Sequence, residues 1–132
     1  RVLFRSTRSR IDAMKISMLQ AKIHRATVTD ANLEYEGSIT IDRALLDASG
    51  LIPFQQVHVY NISNGHRFET YIIEGERDGG DITINGAAAH LAGRGDKVII
   101  AAYAWIDANT ADDWQPALVF VDEANRQKTL GN

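Results

Sequence analysis

The chain has 132 residues, 45% of them apolar and 23% charged, with a net charge of −3. That length fits one domain with a buried core, and the acidic balance excludes the basic footprint of a nucleic-acid binder. With no cysteine, disulfides, thiolate zinc sites and a cysteine nucleophile are excluded as well.

Arg1 to Ala13 is arginine-rich but lacks the apolar segment of a secretory signal. It reads as a disordered N-terminal extension or a cloning remnant ahead of a single domain over 14–132, with the cytoplasm as the expected compartment. Short strands dominate the domain. Ala21 to Thr29 alternates as a half-buried strand does. "GSITID" continues extended, its β-branched Ile39, Thr40 and Ile41 favouring that state. From Asp42 to Gly50 the period changes to that of a short helix: Asp42 can cap it, Leu45 and Leu46 share a face, and Gly50 can end it. "QVHVYNIS" and "HRFETYIIEGE" flank Asn64-Gly65, the pair that a type I′ hairpin favours. "DGGDITING" reads as a turn and strand, and Ala87 to Gly93 as a small-residue helical turn. "DKVIIAAYAWID" is the most buried-looking strand and "ALVFVDEA" another. Six or seven strands with two short helices predict a mainly β fold, a small closed or nearly closed barrel that leaves few edges.

Several familiar signals carry no weight. The four histidines have no HExxH or other close ligand spacing, so no metal site is expected. Asn61-Ile62-Ser63 is a glycosylation sequon without a secretory context, and Arg94-Gly95-Asp96 reads as a tight turn. The longest apolar run, Val98 to Ile106, is too short to span a bilayer. The Gly37-Ser38 pair between two extended runs is left with two readings, a turn or bulge and a peptide bond made to break.

"MLQAKIHRATVT", "LEYEGSITID", "VYNISNGHRFETY" and "INGAAAH" together, in this order, resemble the pyruvoyl-dependent aspartate 1-decarboxylases, over most of the chain from Met14 to about Ile106. The resemblance implies a double-psi β-barrel, a homotetramer, and a zymogen that cuts itself between Gly37 and Ser38. It implies L-aspartate as substrate and β-alanine as product, for pantothenate and coenzyme A synthesis, with a maturation factor as an optional partner. No membrane or nucleic-acid partner is implied. The cofactor would be a pyruvoyl group derived from Ser38, with no pyridoxal phosphate and no metal.

The chemistry accounts for such a group. Loss of the α-carboxylate leaves a carbanion that no ordinary side chain delocalises, and a carbonyl in Schiff-base linkage to the substrate amine supplies the electron sink. By the resemblance, Ser38 Oγ attacks the Gly37 carbonyl, and Gly37 suits that place because it leaves the carbonyl uncrowded. Tyr71 matches the proton donor. Thr70 matches a residue linked to both substrate contact and precursor cleavage. Arg67 and Lys22 match cationic positions suited to two carboxylates. Gly86, Ala87 and Ala88 match a backbone segment that lines the substrate, and Asn85 a polar neighbour.

Two positions depart from the pattern: Tyr60 stands where tryptophan is frequent, and Ile39 where a small residue is common. Two rival functions stay open, a non-catalytic barrel module that binds a partner and a pyruvoyl decarboxylase for another amino acid.

Overall fold

A computed structural model describes residues 13–129. Apart from Ala13, the N-terminal extension expected from the sequence lies outside the described residues. The elements run β1 (Lys15–Thr27), β2 (Asp30–Asn32), β3 (Ser38–Asp42), α1 (Arg43–Ser49), β4 (Gln56–Asn61) and β5 (Arg67–Gly75). They continue with β6 (Ile82–Asn85), the 3₁₀ helix η1 (Gly86–His90), β7 (Lys97–Asp107), the 3₁₀ helix η2 (Ala108–Asp113), β8 (Ala117–Val121) and β9 (Gln127–Lys128). The mainly β expectation holds. The described residues form nine strands where six or seven are expected, and the surplus is largely β2 and β9, of three and two residues.

All nine strands join in the order β2-β6-β3-β5-β4-β7-β1-β8-β9. Antiparallel pairs are mixed with parallel ones, β1 with β8, β2 with β6 and β3 with β5. β-Branched residues supply most of the core: Ile23, Ile39, Ile41, Val57, Val59, Ile72, Ile82, Ile84 and Ile100 are all fully buried. Truncating one such isoleucine to alanine typically costs about 2–5 kcal/mol. Among the described residues, no helix is long and apolar enough to cross a membrane.

β1 begins earlier than its alternation suggests because bulges between Leu19 and Ala21 and between Ile23 and Ala26 break the period of two. At the second bulge Arg25 takes a φ of 66°. The β4–β5 hairpin is present, but its turn is not type I′. Gly65 alone has positive φ, at 82°, and five residues separate the strands. Asn64 Oδ1 instead accepts the His66 N–H at 2.9 Å, a local side-chain bond that replaces the left-handed pair. Asn61 of the sequon is buried, and its amide donates to Leu91 O and Asp96 Oδ2.

The helix forms where capping predicts. Asp42 Oδ1 accepts Ala44 N–H at 2.8 Å, and Gly50, at φ 76°, donates its N–H to Leu46 O. Asp42 does more than cap. Its carboxylate also accepts Asp78 N–H at 2.9 Å and Gly80 N–H at 2.8 Å, so it ties the end of β3 to the loop before β6. Asn125 ties the same loop to β1 through Gly80 O and both backbone groups of Thr27.

Burial raises the Asp42 pKa, and the bonds from Ala44, Gly80 and Asp78, aided by the Arg126 charge, more than reverse that, leaving it below the ordinary carboxylate value. A depressed folded pKa contributes stability above the unfolded value of about 3.9, which is lost as pH falls through the lower folded one. Asp42→Ala leaves three N–H groups without this acceptor, that of Gly80 buried, and a loss of about 3 kcal/mol is expected in urea denaturation at neutral pH. Below about pH 4 the gap between variant and wild type should narrow. A gap that stays constant in acid would show that the carboxylate charge does not carry the effect.

Candidate active site

β3 is paired on both edges. Against β6 it runs antiparallel, with Ser38 opposite Asn85 and Thr40 opposite Thr83. Against β5 it runs parallel, with Ile39 opposite Ile72. Carrying that register back one residue sets Ser38 beside Tyr71. Two unlike residues thus flank the first residue of β3, Asn85 on β6 and Tyr71 on β5.

Ser38 is 0% exposed, whereas Gly37 before it is exposed. The Ser38 hydroxyl donates to Glu36 O at 3.3 Å and accepts from Asn85 Nδ2 at 3.0 Å. Asn85 Nδ2 also donates to Thr40 Oγ1 at 3.2 Å, which holds the amide over the strand. A serine hydroxyl has one donor and two lone pairs, so these bonds fix its direction and leave one lone pair free.

Gly86 follows Asn85 and opens η1 at a φ of 72°. A Cβ built there would lie 2.6 Å from both Gly37 N and Gly37 Cα, and 2.9 Å from Tyr35 O. The small-residue segment exists to let backbone approach backbone, and the backbone that approaches is the Tyr35–Gly37 stretch. Ala87 is exposed and Ala88 half-buried beyond it.

Tyr71 is half-buried, and its ring stacks on Phe54 with centroids 6.3 Å apart. Phe54 is 79% exposed and holds a φ of 71°. That is a strained conformation for a bulky residue, and backbone bonds between Phe54 and Ile72 and between Ile72 and Gln55 support it. No pattern in the sequence marks Phe54. Thr70 pairs with Val57 and is out of phase with Tyr71 along β5. Among the described residues its hydroxyl makes no hydrogen bond, so it is Asn85, and not Thr70, that is hydrogen-bonded to Ser38.

Arg67 and Lys22 are not brought to this point within one copy of the chain. Arg67 is four residues from Tyr71, about 14 Å along the strand, and its guanidinium lies over the Tyr60 ring, 4.1 Å from the centroid. Lys22 is opposite Ala101 on β7, which is opposite His58 on β4, which is opposite Glu69 on β5. Directly opposed residues share a sheet face, so Lys22, His58, Glu69 and Arg67 stand on one face that runs across four strands. At its Arg67 end lies an open cavity of about 370 Å³, lined by His58, Tyr60, Arg67, Phe68 and Glu69. The hydroxyls of Tyr60 and Tyr103 are 2.7 Å apart, and His58 packs edge-on to Tyr103. The sequence shows Tyr60 as a departure, but its tyrosine partner is 43 residues away and has no local signal.

The family described as aspartate decarboxylase matches residues 14–128. Proteins named aspartate 1-decarboxylase are similar over nearly the whole of this stretch. The one from Carboxydothermus hydrogenoformans is 59% identical, covering 86% of this chain and 89% of the relative. The one from Syntrophus aciditrophicus is 53% identical, covering 87% and 99%. The one from Clostridium botulinum is 50% identical, covering 90% and 94%.

The Tyr103 phenol is held above the ordinary tyrosine range, first by its bond to Tyr60, then by burial and the Tyr60 charge, against the opposing pull of Arg67. Ultraviolet titration should therefore show a late-ionising tyrosine, and Tyr60→Phe should bring that titration down towards the ordinary value. A titration unmoved by Tyr60→Phe would remove the hydroxyl pair.

Proposed function

The chain belongs to the aspartate decarboxylase family, and from that premise we propose that it cuts itself between Gly37 and Ser38 and then converts L-aspartate to β-alanine and carbon dioxide, supplying pantothenate and coenzyme A synthesis. The observation that carries the reading is the Ser38 hydroxyl, buried at the start of a doubly paired strand, directed by Asn85 and following a glycine pressed on Gly86. A structural serine in a strand requires none of this.

In the cut, Ser38 Oγ attacks the Gly37 carbonyl carbon. A C–O ester bond forms as the C–N bond breaks, and the hydroxyl proton passes to the Ser38 nitrogen. Loss of the Ser38 α-proton with cleavage of the Cβ–Oγ bond releases the upstream chain as a carboxylate ending at Gly37. The dehydroalanine left behind takes up water and releases ammonia, leaving a pyruvoyl group. The residues present fit such a group: position 38 is buried, the Asn85 amide can donate to an oxygen there, and Gly86 lies against the preceding Gly37 without a side chain. Held at position 38 within reach of the Asn85 amide, such a carbonyl would supply the electron sink for the pair that carbon dioxide leaves behind.

Tyr71 Oη is the proton donor to the carbon that lost its carboxylate, and stacking on Phe54 limits how far the phenol can swing. The backbone of Gly86, Ala87 and Ala88 lines the substrate. Thr70 keeps its assigned part in substrate contact and cleavage on the family resemblance alone. Arg67 and Lys22 hold the carboxylates, but for the site of a neighbouring subunit in a homotetramer. Two features support this. Both lie too far from Ser38 along the sheet for one small diacid to bridge them within a copy. Large apolar side chains also stand open on this protomer, Trp105 at 72% exposure and Ile52 at 62%, as an unassembled surface would leave them.

Ser38→Ala should stay whole and inactive on a denaturing gel and in a β-alanine assay. Tyr71→Phe should still be cut, with turnover lowered about 10²–10⁴-fold, the usual contribution of a general acid. A cut Tyr71→Phe enzyme with normal turnover would remove the proton-donor role and leave the family standing.

Subunit sharing has its own test. Ser38→Ala and Arg67→Ala homotetramers should each have little activity, while tetramers formed by co-expressing both should recover a clear fraction. Mixed tetramers no more active than their parents would place Arg67 in its own copy's site or outside any site.

A further inference from the structure

We propose that Gly86 is a positioning residue for self-cleavage: the contact of its bare Cα with Tyr35–Gly37 sets where the Gly37 carbonyl stands against the Ser38 hydroxyl. The inference rests on the self-cleavage reading above and goes beyond a role for Gly86 in lining the substrate.

Two peptide groups lean on Gly86. A Cβ there would meet Tyr35 O, which belongs to the peptide between residues 35 and 36, and Gly37 N, which belongs to the peptide between residues 36 and 37. The second of these also carries Glu36 O, the acceptor of the Ser38 hydroxyl at 3.3 Å. Moving this peptide therefore moves the hydroxyl's acceptor and the amide that leads into the scissile bond together. The Ser38 hydroxyl is meanwhile held from the other side by Asn85, the residue next to Gly86 in the chain. One dipeptide thus fixes both reactants, Asn85 through the nucleophile and Gly86 through the segment that carries the electrophile.

The steric demand is large. Ordinary contact for a Cβ begins near 3.4 Å, and here both Gly37 atoms would be at 2.6 Å. Both are backbone, so no side-chain rotation relieves the overlap, and the segment has to move by nearly an ångström. A misplacement of about 1 Å costs on the order of 10²-fold in a reaction that depends on near-attack geometry. Gly86 carries a second constraint, its φ of 72°. Asparagine tolerates that conformation far better than alanine does, yet brings the same Cβ. The two demands are therefore separable by substitution.

The test follows cleavage of full-length precursor on denaturing gels, together with its tetramer content, its melting temperature and the fraction of chain that hydroxylamine cuts at position 37, which reads the ester. Wild type should cut itself. Gly86→Ala should cut about 10²-fold more slowly, with less hydroxylamine-sensitive ester and a lower melting temperature. Gly86→Asn should recover much of the melting temperature but remain slow to cleave. Gly93→Ala should match wild type, because a Cβ there meets nothing within 4 Å. The inference is overturned if Gly86→Asn recovers cleavage in step with stability, or if Gly86→Ala cleaves at the wild-type rate; self-cleavage survives either result. A wild-type chain that never cuts would sink the self-cleavage reading, and this inference with it.

Discussion

The double pairing of β3 is the constraint on which the rest of the site depends. A five-residue strand held on one edge would fray at its first residue, but Ser38 is paired with Asn85 while the following residues are locked to β5. The far end is fixed by the Asp42 carboxylate, which gathers N–H groups from the helix and from the loop before β6. With both edges and the far end fixed, β3 has no freedom to slide. The hydroxyl at its start keeps its place, while the exposed glycine before it stands outside the strand pairing and rests on Gly86. That contrast suits a bond that must break without unfolding the strand that holds the nucleophile.

The electrostatics are divided between two places. The groups hydrogen-bonded to the Ser38 hydroxyl are neutral, the Asn85 amide and the Glu36 carbonyl. The cations stand apart along the sheet, Lys22 on β1 and Arg67 four residues before Tyr71 on β5. A neutral pocket suits self-cleavage, since a cation held close to the uncut bond would have no carboxylate to bind there. A diacid substrate does need cations. Under the proposed subunit sharing, a second copy would add them on assembly without placing them over the uncut bond in the folded protomer. The Tyr60 ring beneath Arg67 keeps the guanidinium extended over the face by a contact that leaves its N–H donors free for a carboxylate.

What could be read from the sequence divides along the range of the interactions. The helix after Asp42 was legible because its cap, its paired leucines and its terminal glycine lie within nine residues. The hairpin was legible too, but not its turn, because Asn64 bonds its own neighbourhood through the side chain and keeps negative φ. The Gly37-Ser38 interruption could be read only as a turn or a scissile bond until the family motifs were set beside it. Long-range facts were out of reach. Nothing near Asp42 announces Asp78 and Gly80, nothing near Tyr60 announces Tyr103, and nothing in "LIPFQQ" announces that Phe54 turns left-handed to stack on Tyr71. The register of β5 against β3 also decides that Tyr71, and not its chain neighbour Thr70, stands beside Ser38, which a motif read along the chain cannot show.

The glycine pair at 37 and 86 shows how a small chain can hold a reactive bond in readiness. Gly37 leaves its carbonyl uncrowded, and Gly86 lets the same segment press down until backbone meets backbone. The approach rests on Gly86 alone, because a Cβ at Gly37 would meet nothing within 4 Å while one at Gly86 would overlap the Gly37 backbone. Bulky Ile39, immediately after Ser38, does not disturb this because it is one residue out of phase, fully buried with Ile72 and Ile84 on its two flanks. Its extra volume fills the core and not the site. A departure from the family pattern next to the reactive residue is therefore accommodated by the alternation of the strand, the same geometric rule that puts the Ser38 hydroxyl within reach of Asn85.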